Sequence, residues 1–180
     1  MTIVGAVLAG GRSARMGRDK AGITIDDEHR TLGERAVSTL RAVCDDVVVL
    51  GHGRSMPNDV ARIVDALDDA GPAGGLLALL RCERAHTHTH THRYVVVAVD
   101  MPNVRPEHLR ALLDRGSIAC FTCEGALQPL PLVIDAGARD RVEELVANGE
   151  RRLTEIVAAL APKTVAVDRD VVRNVNRPDD

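Results

Sequence analysis

The densest run of chemically active side chains lies between Ala9 and Lys20, directly after a short apolar stretch. It contains three glycines, three arginines and one lysine. Glycines let backbone N–H groups approach an anion closely, and the cations offset phosphate charge. The spacing fits neither a Walker A loop nor the Gly-x-Gly-x-x-Gly dinucleotide fingerprint. The run therefore predicts a polyphosphate cradle of another kind, with a solvated basic turn as the alternative.

Asp100 is the second candidate, because it follows the apolar stretch Tyr94–Val99 and precedes Met101-Pro102. A carboxylate at this point is either ordinary turn chemistry or an oxygen ligand for Mg²⁺ that also bridges to substrate phosphates. A neighbouring polyphosphate loop would favour the metal interpretation. The sequence thus points to two chemically complementary segments, one cationic and one acidic.

Two other groups of polar residues have simpler interpretations. Asp65, Asp68 and Asp69 precede a glycine-rich run that opens at Gly71; a solvated acidic turn is the favoured interpretation, with one aspartate facing a base or ribose as the alternative. Four histidines alternate with threonines, and in an extended chain they would share one face. We interpret them as a solvated loop with adventitious metal affinity rather than a metal site; they are His86, His88, His90 and His92.

Alternating strands and helices must position these segments. Strands are predicted at about 3–8, 47–50, 62–65, 94–99, 117–123, 128–134 and 164–167, and helices at about 31–43, 74–84, 139–147 and 154–160. A further helix is predicted to begin at Pro106 and to carry Leu109, Leu112 and Leu113 on one face. Thr31 and Glu34 form a capping box, and two prolines within 128–134 indicate an edge or bulged strand. The alternation predicts an α/β fold with a largely parallel sheet, whose ligands bind at the carboxyl ends of its strands.

Composition limits the class of protein. The chain has 180 residues, 45% of them hydrophobic, 1% aromatic, and a net charge of −3. These values predict one globular domain and argue against disorder and against nucleic acid as a partner. The N-terminus has no signal-peptide pattern and no apolar run is long enough for a membrane span, so we expect a cytoplasmic protein without a membrane partner. The four cysteines suggest reduced thiols rather than a zinc site or disulfides.

Several motifs taken together resemble one family, the molybdenum cofactor guanylyltransferases. In chain order they are Leu8-Ala9-Gly10-Gly11, Arg15-Met16-Gly17, Asp19-Lys20-Ala21, Gly71-Pro72-Ala73-Gly74-Gly75, Asp100-Met101-Pro102, Gln128-Pro129-Leu130-Pro131, Gly149-Glu150-Arg151-Arg152 and Asn174-Val175-Asn176-Arg177-Pro178-Asp179. The resemblance implies a three-layer α/β/α, Rossmann-like nucleotidyltransferase fold with a mostly parallel central sheet. Residues 1–180 would form one domain, with a nucleotide-binding half at about 1–102 and an acceptor-binding half at about 103–180.

The resemblance also implies a reaction, in which GMP passes from GTP to the terminal phosphate of molybdopterin and pyrophosphate is released. Mg²⁺ would be the cofactor, GTP and molybdopterin the substrates, and molybdoenzymes or other cofactor-biosynthesis proteins further candidate partners. The residues implied are Leu8, Ala9, Gly10, Gly11 and Asp68 (with Asp69 adjacent) for the nucleotide, Lys20 and Arg15 for its phosphates and the leaving pyrophosphate, Asp100 for nucleotide and Mg²⁺, and Asn174 and Asn176 for the acceptor.

Two alternatives stay open at this point. Cytidylyl or sugar-1-phosphate transfer would use the same scaffold, although Gly10-Gly11 favours guanine over the Ala-Gly more usual in cytidylyl relatives. A nucleotide-binding module without turnover, acting in cofactor delivery, is the other alternative. It rests on Gly51-His52-Gly53, where the family often has a nucleotide-binding asparagine, and on the chain ending soon after Asn176.

Overall fold

Seven strands form one sheet in the computed structural model, which describes residues 1–9, 19–24, 29–64, 71–82 and 92–175. The strands are β1 (Thr2–Leu8), β2 (Asp46–Leu50), β3 (Ala61–Ile63), β4 (His92–Ala98), β5 (Ala119–Cys123), β6 (Ala126–Asp135) and β7 (Lys163–Ala166). Their order across the sheet is β3-β2-β1-β4-β6-β5-β7. Only β6 runs antiparallel to its neighbours among these strands, which confirms the predicted mostly parallel sheet.

Helices cover both faces of the sheet. They are α1 (Leu32–Arg41), α2 (Gly71–Arg81), α3 (Pro106–Arg115), α4 (Arg139–Ala147) and α5 (Leu153–Ala159). One apolar layer joins α2, α4 and α5 to the sheet, and the other joins α1 and α3 to its opposite face. Successive residues of β1 alternate between them, so that Ala6 lies in the first layer and Val7 in the second. The result is the predicted α/β/α arrangement.

Local sequence signals set two of the helix starts. The Thr31 hydroxyl accepts the Glu34 N–H at 3.2 Å and the Glu34 carboxylate accepts the Thr31 N–H at 2.8 Å, which is the predicted capping box. Helix α2, by contrast, lies three residues earlier at both ends than predicted. Gly71 adopts a φ of +57°, a conformation open to glycine, and Pro72 then suits the first helical turn.

Strand β6 does not lie at an edge of the sheet, so that part of its prediction is wrong. It pairs with β4 on one side and with β5 on the other. The pairing with β5 shifts register where Cys120 faces Leu132 and Phe121 faces Gln128. Pro129 and Pro131 fall within this shift, where the ladder needs no N–H from them, and this confirms the bulged alternative.

The histidine run is only partly described. His92 is the first residue of β4, pairs in register with Thr2, and is only 7% exposed, so its assignment to a solvated loop is wrong. Strand β4 begins two residues before Tyr94 because β1 provides backbone partners for these residues. His86, His88 and His90 lie outside the described residues. Across the described ranges, no helix combines the length and apolar character needed to cross a membrane.

Candidate active site

The carboxyl ends of three neighbouring strands meet at one edge of the sheet. Leu8 at the end of β1 is in register with Ala98 in β4 and with Leu50 in β2. Backbone hydrogen bonds continue this pairing beyond the strands: Val99 N donates to Leu8 O at 3.2 Å and Ala9 N donates to Leu50 O at 3.1 Å. The segments that follow β1 and β4 therefore start side by side.

Lys20 and Asp100 form an ion pair at this edge, with Lys20 Nζ 2.7 Å from Asp100 Oδ2. The two residues are 80 positions apart in the chain. Their side chains are 23% and 16% exposed, so water reaches the pair but does not surround it. A partly desolvated pair of this kind is more strongly coupled than a surface pair. The structure thus joins the two segments that the sequence singles out as cationic and acidic.

A single 3-10 turn, Lys20–Gly22, carries the lysine. Asp19 caps this turn, since its Oδ1 accepts the Ala21 N–H at 3.1 Å. Ala21 is completely buried, and the start of α1 approaches it so closely that a Cβ on Gly33 would lie 3.3 Å from the Ala21 Cβ. The lysine therefore projects from a turn that is anchored in the apolar layer under α1.

The loop after β2 packs closely against Ala9, the first residue after β1. A Cβ on Gly53 would lie 2.6 Å from the Ala9 Cβ and 2.9 Å from Met56 Cγ, distances that no side chain tolerates. Gly53 is buried, whereas His52 beside it is exposed. A glycine is needed here for close approach, and it fixes the spacing between this loop and Ala9.

The loop that holds Asp100 is tied down from two sides. Arg35 in α1 donates through Nε to the Pro102 carbonyl at 2.7 Å. Val175 N donates to the Asp100 carbonyl at 2.8 Å, and the Val175 side chain is 8% exposed in the apolar layer shared with α1. Asn174, next to Val175, is exposed. The C-terminal segment thus lies against the same acidic loop that faces Lys20.

The structure brings together the predicted residues that it describes. Leu8, Ala9, Lys20 and Asp100 lie at one edge, and Asn174 adjoins it through Val175. The remaining predicted residues lie outside the described ranges: Gly10, Gly11, Arg15, Asp68, Asp69 and Asn176. Sequence reasoning missed the contributions of Asp19, Arg35 and Gly53. An acidic residue within a cationic run was a usable signal for Asp19, and the glycines around His52 were one for Gly53.

Two of the cysteine thiols are poorly suited to nucleophilic chemistry. Burial raises the pKa of the Cys120 thiol to about 11, and burial together with Asp45 raises that of Cys44 to about 12, so both stay protonated near neutral pH and are poor nucleophiles. Among the described residues, no three His, Cys, Asp or Glu side chains cluster closely enough to hold a metal ion.

The three-layer fold sets a cationic turn after β1 against a carboxylate after β4, and comparison with protein families identifies the chain as a nucleotidyltransferase. The sequence-family model described as the MobA-like NTP transferase domain matches residues 5–165. The chain belongs to this family, which confirms the resemblance seen in its motifs.

Individual relatives agree with this assignment. A probable molybdenum cofactor guanylyltransferase from Opitutus terrae is 34% identical over an alignment 191 residues long, gaps included, which covers 99% of this chain and 92% of the relative. The crystal structure of molybdopterin-guanine dinucleotide biosynthesis protein A from Archaeoglobus fulgidus has a TM-score of 0.70 at 22% identity, covering 98% and 93% of the two chains. A manganese complex of a Mycobacterium tuberculosis protein has a TM-score of 0.63 at 21% identity, covering 99% and 94%. The two structures confirm the Rossmann-like fold.

The close approach at Gly53 predicts a specific sensitivity. Gly53→Ala should lower the free energy of unfolding by about 1–3 kcal/mol, because the added methyl group must push Ala9 or Met56 aside. Urea denaturation followed by circular dichroism measures the change. Gly137→Ala is the matched control: its Cβ would meet only the end of the Asp135 side chain, at 3.1 Å. Equal effects of the two substitutions would contradict the packing assigned to Gly53.

Proposed function

We propose that the chain transfers GMP from GTP to the terminal phosphate of molybdopterin, releasing pyrophosphate and forming the guanine dinucleotide cofactor. The Lys20–Asp100 pair carries this proposal, because an ammonium suited to binding phosphate and a carboxylate suited to binding a divalent ion lie together at one sheet edge. Family membership and the name of the Opitutus terrae relative support it. The Archaeoglobus fulgidus protein, with the same fold, supports the same substrate class.

The chemistry needs no protein nucleophile. An oxygen of the pterin phosphate attacks the α-phosphorus of GTP in line, and the new P–O bond replaces the bond from the α-phosphorus to the oxygen it shares with the β-phosphorus. The electron pair of the broken bond leaves with pyrophosphate. Lys20, with Arg15 from the same segment, would bind the leaving phosphates and stabilise their growing charge. Positioning and electrostatics thus account for the catalysis.

Asp100 would hold Mg²⁺ together with phosphate oxygens of the nucleotide. When bound, the ion would neutralise negative charge on the reacting phosphates. The manganese complex with the same fold supports a divalent ion of this kind. Lys20 Nζ lies 2.7 Å from the Asp100 carboxylate and compensates its charge. Arrival of nucleotide and metal together would give each member of the pair a new partner of opposite charge.

The remaining assignments concern the nucleotide and the acceptor. We assign Leu8, Ala9, Gly10, Gly11 and Asp68 to the guanine nucleotide. We assign Asn174 and Asn176 to the pterin side, and the hydrogen bond from Val175 N to the Asp100 carbonyl supports this, because it sets that segment beside the reacting centre. The nucleotide-binding half at about 1–102 and the acceptor half at about 103–180 then meet at Asp100.

Product analysis tests the proposal directly. Incubation of the protein with Mg-GTP and molybdopterin should release pyrophosphate and give the guanine dinucleotide, identified by mass spectrometry, with CTP a poor substitute. Turnover with CTP in place of GTP would instead favour the cytidylyl alternative. Nucleotide binding without pyrophosphate release from any NTP would favour the non-catalytic module.

Asp100→Ala should lower the rate of pyrophosphate release by roughly a thousand-fold, since the metal loses its protein ligand. The fold should persist, because Asp100 lies in the loop after β4 and its side chain is partly exposed. Thermal unfolding checks the fold and a coupled phosphate assay gives the rate. Asp140→Ala, which removes an 85%-exposed carboxylate on α4, is the control. An unchanged rate for Asp100→Ala would disprove the metal assignment.

Lys20→Ala should weaken GTP binding by about ten- to a hundred-fold, the effect of losing a charge-assisted contact to phosphate, and turnover should fall as well. Isothermal titration calorimetry gives the affinity. The chain has one other lysine, the exposed Lys163 in β7, and Lys163→Ala should bind GTP like the unmodified protein. Equal affinity in the two variants would remove Lys20 from the phosphate site.

A further inference from the structure

Asp19 uses both of its carboxylate oxygens to join two separate segments of backbone. Oδ1 accepts the N–H of Ala21 at 3.1 Å, inside the turn that carries Lys20. Oδ2 accepts the N–H of Ser55 at 2.6 Å, in the loop after β2. The second bond spans 36 positions in the chain. One side chain therefore connects the lysine turn to the loop that packs against Ala9.

The position of Asp19 requires a reason, because its charge opposes the neighbouring chemistry. A carboxylate directly before Lys20 repels polyphosphate and reduces the local positive charge. Hydrogen bonds from two backbone N–H groups compensate part of that charge and fix where the carboxylate sits. The residue thus acts on the backbone around the site rather than on the ligand.

Close contacts leave the turn little freedom once this link is made. A Cβ on Gly22 would lie 2.8 Å from Ser55 Oγ, so the turn and the loop touch beside the Asp19 bond. On the other side Ile23 O accepts the Leu32 N–H at 2.8 Å, which ties the end of the turn to the start of α1. Of these links, the bonds of Asp19 are the ones that lie on the Lys20 side of the turn.

We infer that Asp19 is a positioning residue, which holds the Lys20 turn against the loop after β2 so that Lys20 Nζ faces Asp100. The inference rests on the proposed function insofar as it concerns GTP. Without Asp19, the turn would still be tethered through Ile23, but Lys20 would be free to leave Asp100. Loss of Asp19 should therefore change the position of Lys20 Nζ more than it changes the stability of the whole fold.

The two lysines of the chain allow a direct test that needs no nucleotide. Amine labelling with acetic anhydride at neutral pH, read by mass spectrometry of peptides, gives the ratio of Lys20 to Lys163 modification. In Asp19→Asn, which keeps one acceptor oxygen, this ratio should rise about five-fold, and in Asp19→Ala it should rise further. Asp59→Asn is the matched control, because Asp59 lies in the same loop, is 64% exposed, and pairs with Arg41 at 2.8 Å.

Labelling below the melting temperature separates a local effect from unfolding. An unchanged ratio in folded Asp19→Asn would overturn the inference, even if that variant is less stable. If Asp19→Ala does not accumulate as folded protein, Asp19→Asn alone decides the outcome, since it preserves the volume of the side chain.

GTP affinity distinguishes this inference from the proposed function. Asp19→Asn should weaken GTP binding by about five- to ten-fold by calorimetry, while Asp59→Asn should not. A raised labelling ratio in Asp19→Asn, together with unchanged GTP affinity in Lys20→Ala, would support the positioning role of Asp19 and contradict the phosphate-binding role of Lys20. A raised ratio with weakened affinity supports both.

Discussion

The parallel pairing of β1 with β4 is the constraint on which the site depends. Seven residue pairs, from Thr2 with His92 to Leu8 with Ala98, fix the register of these strands. A slip of one residue would exchange the two faces of β1 and move its buried side chains into the wrong layers. The same register brings the end of each strand to one edge, so Lys20 and Asp100 meet although the chain separates them by 80 positions. The hydrophobic pattern of the strands thereby determines the geometry of a charged site.

Sequence reasoning succeeded where the signal is local. The apolar, β-branched runs of β1, β2 and β4 and the capping box at Thr31 each contain their own evidence, and the structure agrees with them. It failed where the outcome depends on a distant partner. Strand β6 lies inside the sheet because it pairs with both β4 and β5, so the edge alternative was wrong, whereas the bulge that its two prolines indicated is confirmed. Lys20 and Asp100 were predicted from residue type, whereas the link that Asp19 makes depends on the position of the Ser55 backbone, 36 residues away in the chain.

Charge and composition also take on a more specific meaning. The net charge of −3 conceals a cationic segment that includes Arg12, Arg15, Arg18 and Lys20, and the structure places its last residue against a carboxylate. With only 1% aromatic residues, the chain offers few rings on which a base could stack. Under the proposed function, recognition of guanine would then rely on backbone and polar groups.

Close backbone approach explains why so small a site can be held firmly. Gly53 against Ala9, Gly22 against Ser55 and Gly33 against Ala21 each remove a side chain at a contact between segments. Glycine loses more conformational entropy on folding than other residues do, but at these contacts it allows the two segments to lie at a fixed, short distance. The Lys20 side chain spans only a short distance between its turn and the carboxylate or phosphate that it contacts. A shift of about 1 Å in these backbone contacts would therefore move Lys20 Nζ relative to that partner. The glycines thus set the distance, and Asp19 sets the direction, from which the lysine acts.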